Sequence, residues 1–144
     1  TPLFHRGRVY VGSADQRLYC LDYQSGRRVW EFATAGPIHG SPAAWQDLVY
    51  IGSRDRNLYA LAADSGARRW HFTAGDWIDS SPAVSGRTVY FGSHDGKLNA
   101  VEAEMGVLMW EYPTGGEIAT SPAISGNKLF VGANDGNLYC FRST

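Results

Sequence analysis

The sequence predicts an all-β protein built from short strands, and three observations lead to this fold class. First, 17 of the 144 residues are glycine, about 12% of the chain against a usual share of roughly 7%. Second, no stretch free of glycine and proline exceeds 13 residues, which disfavours long helices and favours strands joined by turns. Third, the chain repeats itself every 40 residues, and a fixed period of this length indicates a repeat architecture.

The period holds for residues of very different chemistry. It relates glycines, aspartates and leucines, namely Gly12, Gly52, Gly92 and Gly132, Asp15, Asp55, Asp95 and Asp135, and Leu18, Leu58, Leu98 and Leu138. Agreement at this many positions requires each copy to fold as the same supersecondary unit.

One unit, taken from the third copy, predicts four strands in order. Residues 81–85 (SPAVS) form a first strand of small residues, with Pro82 at its start, where a missing N–H matters least. Residues 88–93 (TVYFGS) are β-branched and aromatic, as a second strand should be. Asp95 and Gly96 suit a tight hairpin turn before the third strand at 97–103. A turn ending at Gly106 precedes a fourth strand at 107–112.

Four short antiparallel strands in about 40 residues are the pattern of a propeller blade. The sequence therefore predicts a β-propeller of four blades, at residues 1–40, 41–80, 81–120 and 121–144, with the last blade lacking its outer strand. A blade has two apolar faces that neighbours must cover. We expect the chain to be part of a larger ring, completed by more chain or by self-association, with a closed four-bladed ring as the alternative.

Composition narrows the classes of partner. Thirteen basic and 14 acidic residues give a net charge of −1, so no surface for nucleic acid is expected. No apolar run approaches the length of a membrane span. The first residue is Thr1 and no signal peptide is present, so we expect a piece of a longer protein.

The cysteines and histidines do not suggest a metal site. Cys20 and Cys140 are 120 residues apart, whereas zinc clusters use closely spaced ligands. Both occupy the slot of Ala60 and Ala100 in the other copies. We expect them to be small buried side chains rather than a disulfide.

A motif spans the third strand and the following turn. It consists of a small residue, an acid, a hydroxyl residue followed by glycine, and a tryptophan. Its three copies are Cys20, Asp22, Ser25, Gly26 and Trp30; Ala60, Ala62, Ser65, Gly66 and Trp70; and Ala100, Glu102, Met105, Gly106 and Trp110. It resembles the quinoprotein-type (pyrroloquinoline-quinone-like) propeller repeat, with departures at Ala62 and Met105. The resemblance implies that each tryptophan docks between adjacent blades near a glycine.

The resemblance also implies candidate functions. The family includes non-catalytic propellers, among them a lipoprotein of the bacterial outer-membrane barrel-assembly machinery, and dehydrogenases that oxidise alcohols or sugars with the quinone and calcium. Those enzymes often carry an adjacent cysteine pair and long insertions, and this chain has neither. We therefore expect a non-catalytic scaffold that binds proteins or a ligand, without a cofactor, in the periplasm or outside the cell. A dehydrogenase fragment and a sensor domain of a larger receptor remain alternatives.

Functional differences should lie where the copies disagree, in the loops that lead to each new blade and in the turns beside them. These loops and turns share one face of a propeller, and the candidate binding residues on it are Trp77, His39, Asp76, Asp79, Glu117, Arg54, Arg56 and His94. Trp77 is the strongest candidate, although it could instead pack between blades. His39 and Asp79 share a repeat position, which leaves an acid/base pair as an alternative to two solvated residues. The repeated aspartates are expected to stabilise turns rather than bind calcium.

Overall fold

The computed structural model describes residues 1–142 and arranges their strands in four antiparallel sheets, one for each repeat. The first sheet consists of β1 (Leu3–His5), β2 (Arg8–Gly12), β3 (Arg17–Asp22) and β4 (Arg28–Ala33). The second consists of β5 (Ala43–Trp45), β6 (Leu48–Gly52), β7 (Asn57–Ala62) and β8 (Arg68–Thr73). In each sheet the strands lie in chain order, so every connection within a blade is a hairpin.

The third and fourth sheets follow the same plan. The third consists of β9 (Ala83–Ser85), β10 (Thr88–Gly92), β11 (Lys97–Glu102) and β12 (Leu108–Pro113). The fourth has three strands among the described residues, namely β13 (Ala123–Ser125), β14 (Lys128–Gly132) and β15 (Leu138–Arg142). The predicted four-bladed arrangement without a last outer strand is therefore confirmed. Pro82 lies just before β9 rather than inside the strand.

The core lies between blades rather than within one sheet. Three clusters of buried apolar side chains fill the interfaces of blades one and two, two and three, and three and four. Strands β6 and β7 are buried on both faces, whereas β15 alternates between exposed and half-buried residues. Within residues 1–142 no apolar cluster joins the first blade to the fourth, so both terminal blades have an open face.

The repeated tryptophans dock on the following blade, as the family resemblance implies. The indole Nε1 of Trp30 donates to the carbonyl of Ala63 at 3.1 Å, and its ring covers Gly66. A Cβ added to Gly66 would lie 2.5 Å from that ring, so only glycine permits this approach. Trp70 makes the equivalent bond to Ala103 at 3.0 Å in the next interface.

The repeated aspartates stabilise turns, as predicted, and they also link the blades. The Oδ1 of Asp55 accepts the backbone N–H of Asn57 at 2.9 Å, which closes its own turn. Its Oδ2 accepts the N–H of Ala35, from the loop of the preceding blade, also at 2.9 Å. The other oxygen thus ties one blade to the next, and Asp95 repeats the contact with Gly75 at 3.1 Å.

The two cysteines differ, which corrects the prediction that both are buried. Both are free thiols, and Cys20 is fully buried between blades one and two while Cys140 is exposed. Cys140 lies on β15, whose only paired neighbour within residues 1–142 is β14. The two residues share a position within the blade, but among the described residues no blade packs on the side of Cys140 that blade two covers in Cys20.

Candidate functional site

The candidate site forms where the loop of one blade meets the turn of the next. The backbone N–H of His94, in the turn between β10 and β11, donates to the carbonyl of Trp77 at 2.9 Å. The next residue, Ile78, donates its own N–H to Ser53 in the preceding turn at 3.2 Å and buries its side chain. One loop therefore joins two turns, and its side chains at 77 and 79 are held between blades two and three.

An ion pair between a turn of blade two and the loop that leads to blade three is the centre of this site. Arg54 donates from Nε to Oδ1 of Asp79 at 2.9 Å and from Nη2 to Oδ2 at 3.0 Å. Only 13% of the Asp79 side chain is exposed. Burial by itself would raise the pKa of Asp79, but the hydrogen bonds and charge of Arg54 outweigh it and hold that pKa below its usual value.

His94 extends the network to a second acid. Its Nε2 lies 3.0 Å from Oδ2 of Asp79, and its Nδ1 lies 3.7 Å from Oε2 of Glu117. The Nε2 atom is buried and has no well-aligned hydrogen-bond partner in the described part of the chain. Glu117 also lies close to the turn between β14 and β15, because the side-chain amide of Asn134 in that turn donates to it at 3.4 Å.

Trp77 covers this network and stays partly open to solvent. The guanidinium carbon of Arg54 lies 4.7 Å from the centre of the indole, which is a cation–π arrangement. The ring centre of His94 is 5.8 Å from it on a tilted contact. The side chain is nevertheless 44% exposed, so Trp77 packs between blades and also offers an aromatic surface.

The structure brings together five of the predicted residues, which we call the inter-blade cluster: Arg54, Trp77, Asp79, His94 and Glu117. The other three lie outside it. His39 is exposed in the preceding loop, Asp76 accepts the N–H of Trp77 at 2.8 Å, and Arg56 is an exposed turn residue with a φ of 75°.

The cluster does not include the acid/base pair that the sequence left as an alternative. Within residues 1–142 no hydrogen bond joins His39 to Asp79, whose two oxygens accept from Arg54. No group of side chains with metal-ligating geometry occurs in the part of the chain that the structure describes. That part also contains no helix with the length and apolarity to cross a membrane.

The repeats differ in their outer strands as well as in the predicted loops. β12 reads LMWEYP where β4 reads RVWEFA and β8 reads RRWHFT. Several apolar side chains of this strand are exposed. A comparison of the copies strand by strand shows this difference directly.

Comparison with known proteins identifies the family of the chain. A family model described as outer membrane protein assembly factor BamB matches residues 1–144. No curated protein sequence is a significant match. Among solved structures, BamB from Moraxella catarrhalis superposes with a TM-score of 0.85 at 23% identity, over 94% of this chain and 43% of that one. The chain thus spans less than half of that relative.

Two other solved structures share the fold. The computationally designed Ika4 protein superposes with a TM-score of 0.88 at 19% identity, over 98% of this chain and 88% of the designed one. A europium-containing methanol dehydrogenase gives a TM-score of 0.69 at 20% identity, over 76% of this chain and 23% of the enzyme. At these identities the likeness concerns the arrangement of the strands alone.

Proposed function

This chain belongs to the family described as outer membrane protein assembly factor BamB, and from that premise we propose that it is a non-catalytic propeller module that binds other proteins in the bacterial periplasm. The family description supports a role in assembly. Protein binding on this fold needs no reaction chemistry, only a surface whose side chains are already held in place.

The observation that carries the proposal is the half-exposed Trp77 fixed by Arg54. Tryptophan and arginine are enriched at the energetic centres of protein interfaces. Here the guanidinium is anchored twice by Asp79 and the indole rests on it. A partner would therefore meet an aromatic and cationic surface that loses little conformational freedom on binding.

Site-specific photo-crosslinking tests this surface. A photoreactive amino acid replaces Trp77 in one variant and Gln24 in another, the chain is expressed in the periplasm of a Gram-negative host, and adducts are identified by mass spectrometry. Gln24 is exposed in the turn between β3 and β4, at the opposite end of a blade. We expect adducts at position 77 that are absent at position 24.

The second measurement is the affinity of the identified partner for the purified chain. Trp77→Ala should weaken its binding by about tenfold or more, the loss expected for an interface centre. Equal crosslinking at the two positions, or an unchanged affinity, would contradict the proposal. The non-catalytic part has a separate test: saturable binding of pyrroloquinoline quinone with calcium, together with dye-linked alcohol oxidation, would favour the dehydrogenase alternative.

The open faces of the terminal blades support a further property, self-association or docking of more propeller blades. Gly26 is equivalent to Gly66 but has nothing within 4 Å of the position a Cβ would take. At the other end, Leu138 is 72% exposed. Sedimentation of the 144-residue chain separates the outcomes, because a monomer of 15.8 kDa at all concentrations would exclude self-association.

A further inference from the structure

The outer strand of the third blade has an unusual surface. Ten large apolar side chains are exposed among residues 1–142, and five of them fall between residues 105 and 112: Met105, Val107, Leu108, Met109 and Tyr112. Strand β12 is also an edge strand, paired with β11 on one side only. An exposed apolar edge is rare because it invites pairing with another chain.

The other two complete blades show how this chain protects the same edge. The positions of Leu108 and Met109 hold Arg68 and Arg69 in β8, and the first of them holds Arg28 in β4. Charged residues on an outer strand discourage edge-to-edge pairing. Blade three has lost that protection while keeping the backbone geometry of the repeat, including the same bulge opposite β11.

We propose that the free edge of β12 binds an extended segment of another protein as an added strand. An edge strand has backbone N–H and C=O groups that point away from its neighbour, and a partner strand satisfies them. Side chains of that strand then lie beside Leu108 and Met109, which are 41% and 54% exposed. The partner is a segment with apolar residues at alternate positions.

Charge complementarity defines the partner further. In blade one, Glu31 binds Arg17 through Oε1 at 2.7 Å and Arg28 through Oε2 at 2.9 Å. In blade three, Glu111 binds Lys97 through Oε1 at 2.6 Å, but leucine replaces the second arginine. No described residue occupies Oε2 of Glu111, so a lysine or arginine of the added strand fits there, as Arg28 does in blade one.

The same comparison disfavours a second copy of this strand as the occupant. β12 contains no basic residue, so a second copy of the strand would bring another Glu111 carboxylate to the interface and no cation for the free Oε2. The edge is also separate from the inter-blade cluster, which is formed by loops and turns rather than by outer strands. This proposal therefore stands whether or not Trp77 binds a partner.

Synthetic peptides test strand addition directly. The probe is a dye-labelled, terminally blocked peptide in which Val and Thr alternate around a central Lys. One matched control carries Glu at the centre, and another carries N-methyl groups on alternate amides in either register. By fluorescence anisotropy we expect the Lys peptide to bind, the Glu peptide to bind about fivefold more weakly, and the N-methylated register whose methyl groups face the edge of β12 not to bind.

Variants then locate the site. The double variant Leu108→Arg/Met109→Arg introduces the arginines that β8 has at these positions. It should lower the affinity for the Lys peptide by about tenfold. Val29→Arg makes a similar change on β4 and should have no effect. Circular dichroism checks that each variant is folded.

Three results would overturn the proposal. One is the absence of Lys-peptide binding to the folded wild-type chain, and another is equal binding by an N-methylated peptide in both registers. The third is a dimer of the chain that Leu108→Arg/Met109→Arg dissociates, which would assign the edge to a second copy instead.

Discussion

Arg54 and Asp79 are joined by two parallel hydrogen bonds, of 2.9 and 3.0 Å. The arginine lies in the turn between β6 and β7, and the aspartate lies in the loop that leads to β9. This pair helps to fix the loop that presents Trp77, so the proposed binding surface depends on it.

Removal of one partner of this pair should destabilise the fold. Arg54→Ala leaves the buried carboxylate of Asp79 without its two donors, and an uncompensated charge of this kind is unfavourable. We expect the melting temperature to fall by several degrees, with partial recovery in Arg54→Ala/Asp79→Ala. Arg17→Ala is the control, because its pair with Glu31 is exposed and such pairs contribute little. Equal effects of Arg54→Ala and Arg17→Ala would contradict the prediction.

Two equivalent glycines separate tryptophan docking from backbone strain. Gly66 and Gly26 have φ angles of 73° and 68°, so alanine is strained at either position, by about 1–2 kcal/mol. Only Gly66→Ala also places a Cβ 2.5 Å from the ring of Trp30, which adds a clash of about 1–3 kcal/mol. Denaturant unfolding should therefore show a larger loss for Gly66→Ala. Equal losses would mean that the docked indole moves without cost.

The repeat accurately predicts the local structure that is the same in every blade. A fixed period forces equal local geometry, so the strands, the turn aspartates and the docked Trp30 follow from one copy. The repeat cannot predict what depends on neighbours. Cys140 shares its slot with the buried Cys20, yet its burial needs another blade.

The same limit applies to the site. All five residues of the inter-blade cluster were expected on one face, but the partner of Asp79 was not. A sequence spacing of 25 residues between Arg54 and Asp79 does not specify an ion pair. The pairing depends on how the loop folds over the turn, which the bond from the Ile78 N–H to Ser53 and the burial of the Ile78 side chain fix in three dimensions.

The blade interfaces should open at high pH because they bury tyrosine hydroxyls. Burial, with smaller contributions from Cys20, raises the pKa of Tyr10 to about 12, and burial also raises the pKa of Tyr50. A raised folded-state pKa means that the stabilisation is complete below pH 10.0, the ordinary value, and is lost as the pH rises through the folded value. Between the two values each such tyrosine should reduce the free energy of unfolding by about 1.4 kcal/mol per pH unit.

Circular dichroism and tyrosinate absorbance along an alkaline titration measure this loss. Tyr50→Phe should make the loss less steep, and it should fold, because the Ala103 carbonyl keeps its bond from Trp70. Tyr23→Phe changes an exposed ring and serves as the control. An alkaline transition that is identical in all three proteins would refute the assignment to buried tyrosines.

The two thiols should differ sharply in reactivity. Cys20 is fully buried, and burial raises its pKa, so both access and thiolate content are low. Cys140 is exposed on β15 and should be alkylated at the rate of a free thiol. Mass spectrometry of digested protein should show modification of Cys140 first. Cys20 should be modified only when the interface between blades one and two opens. In denaturant the two rates should become equal. Protection of Cys140 that grows with protein concentration would indicate that a second chain covers the open face of blade four. Rapid labelling of Cys20 in the folded chain would contradict the packing of blades one and two.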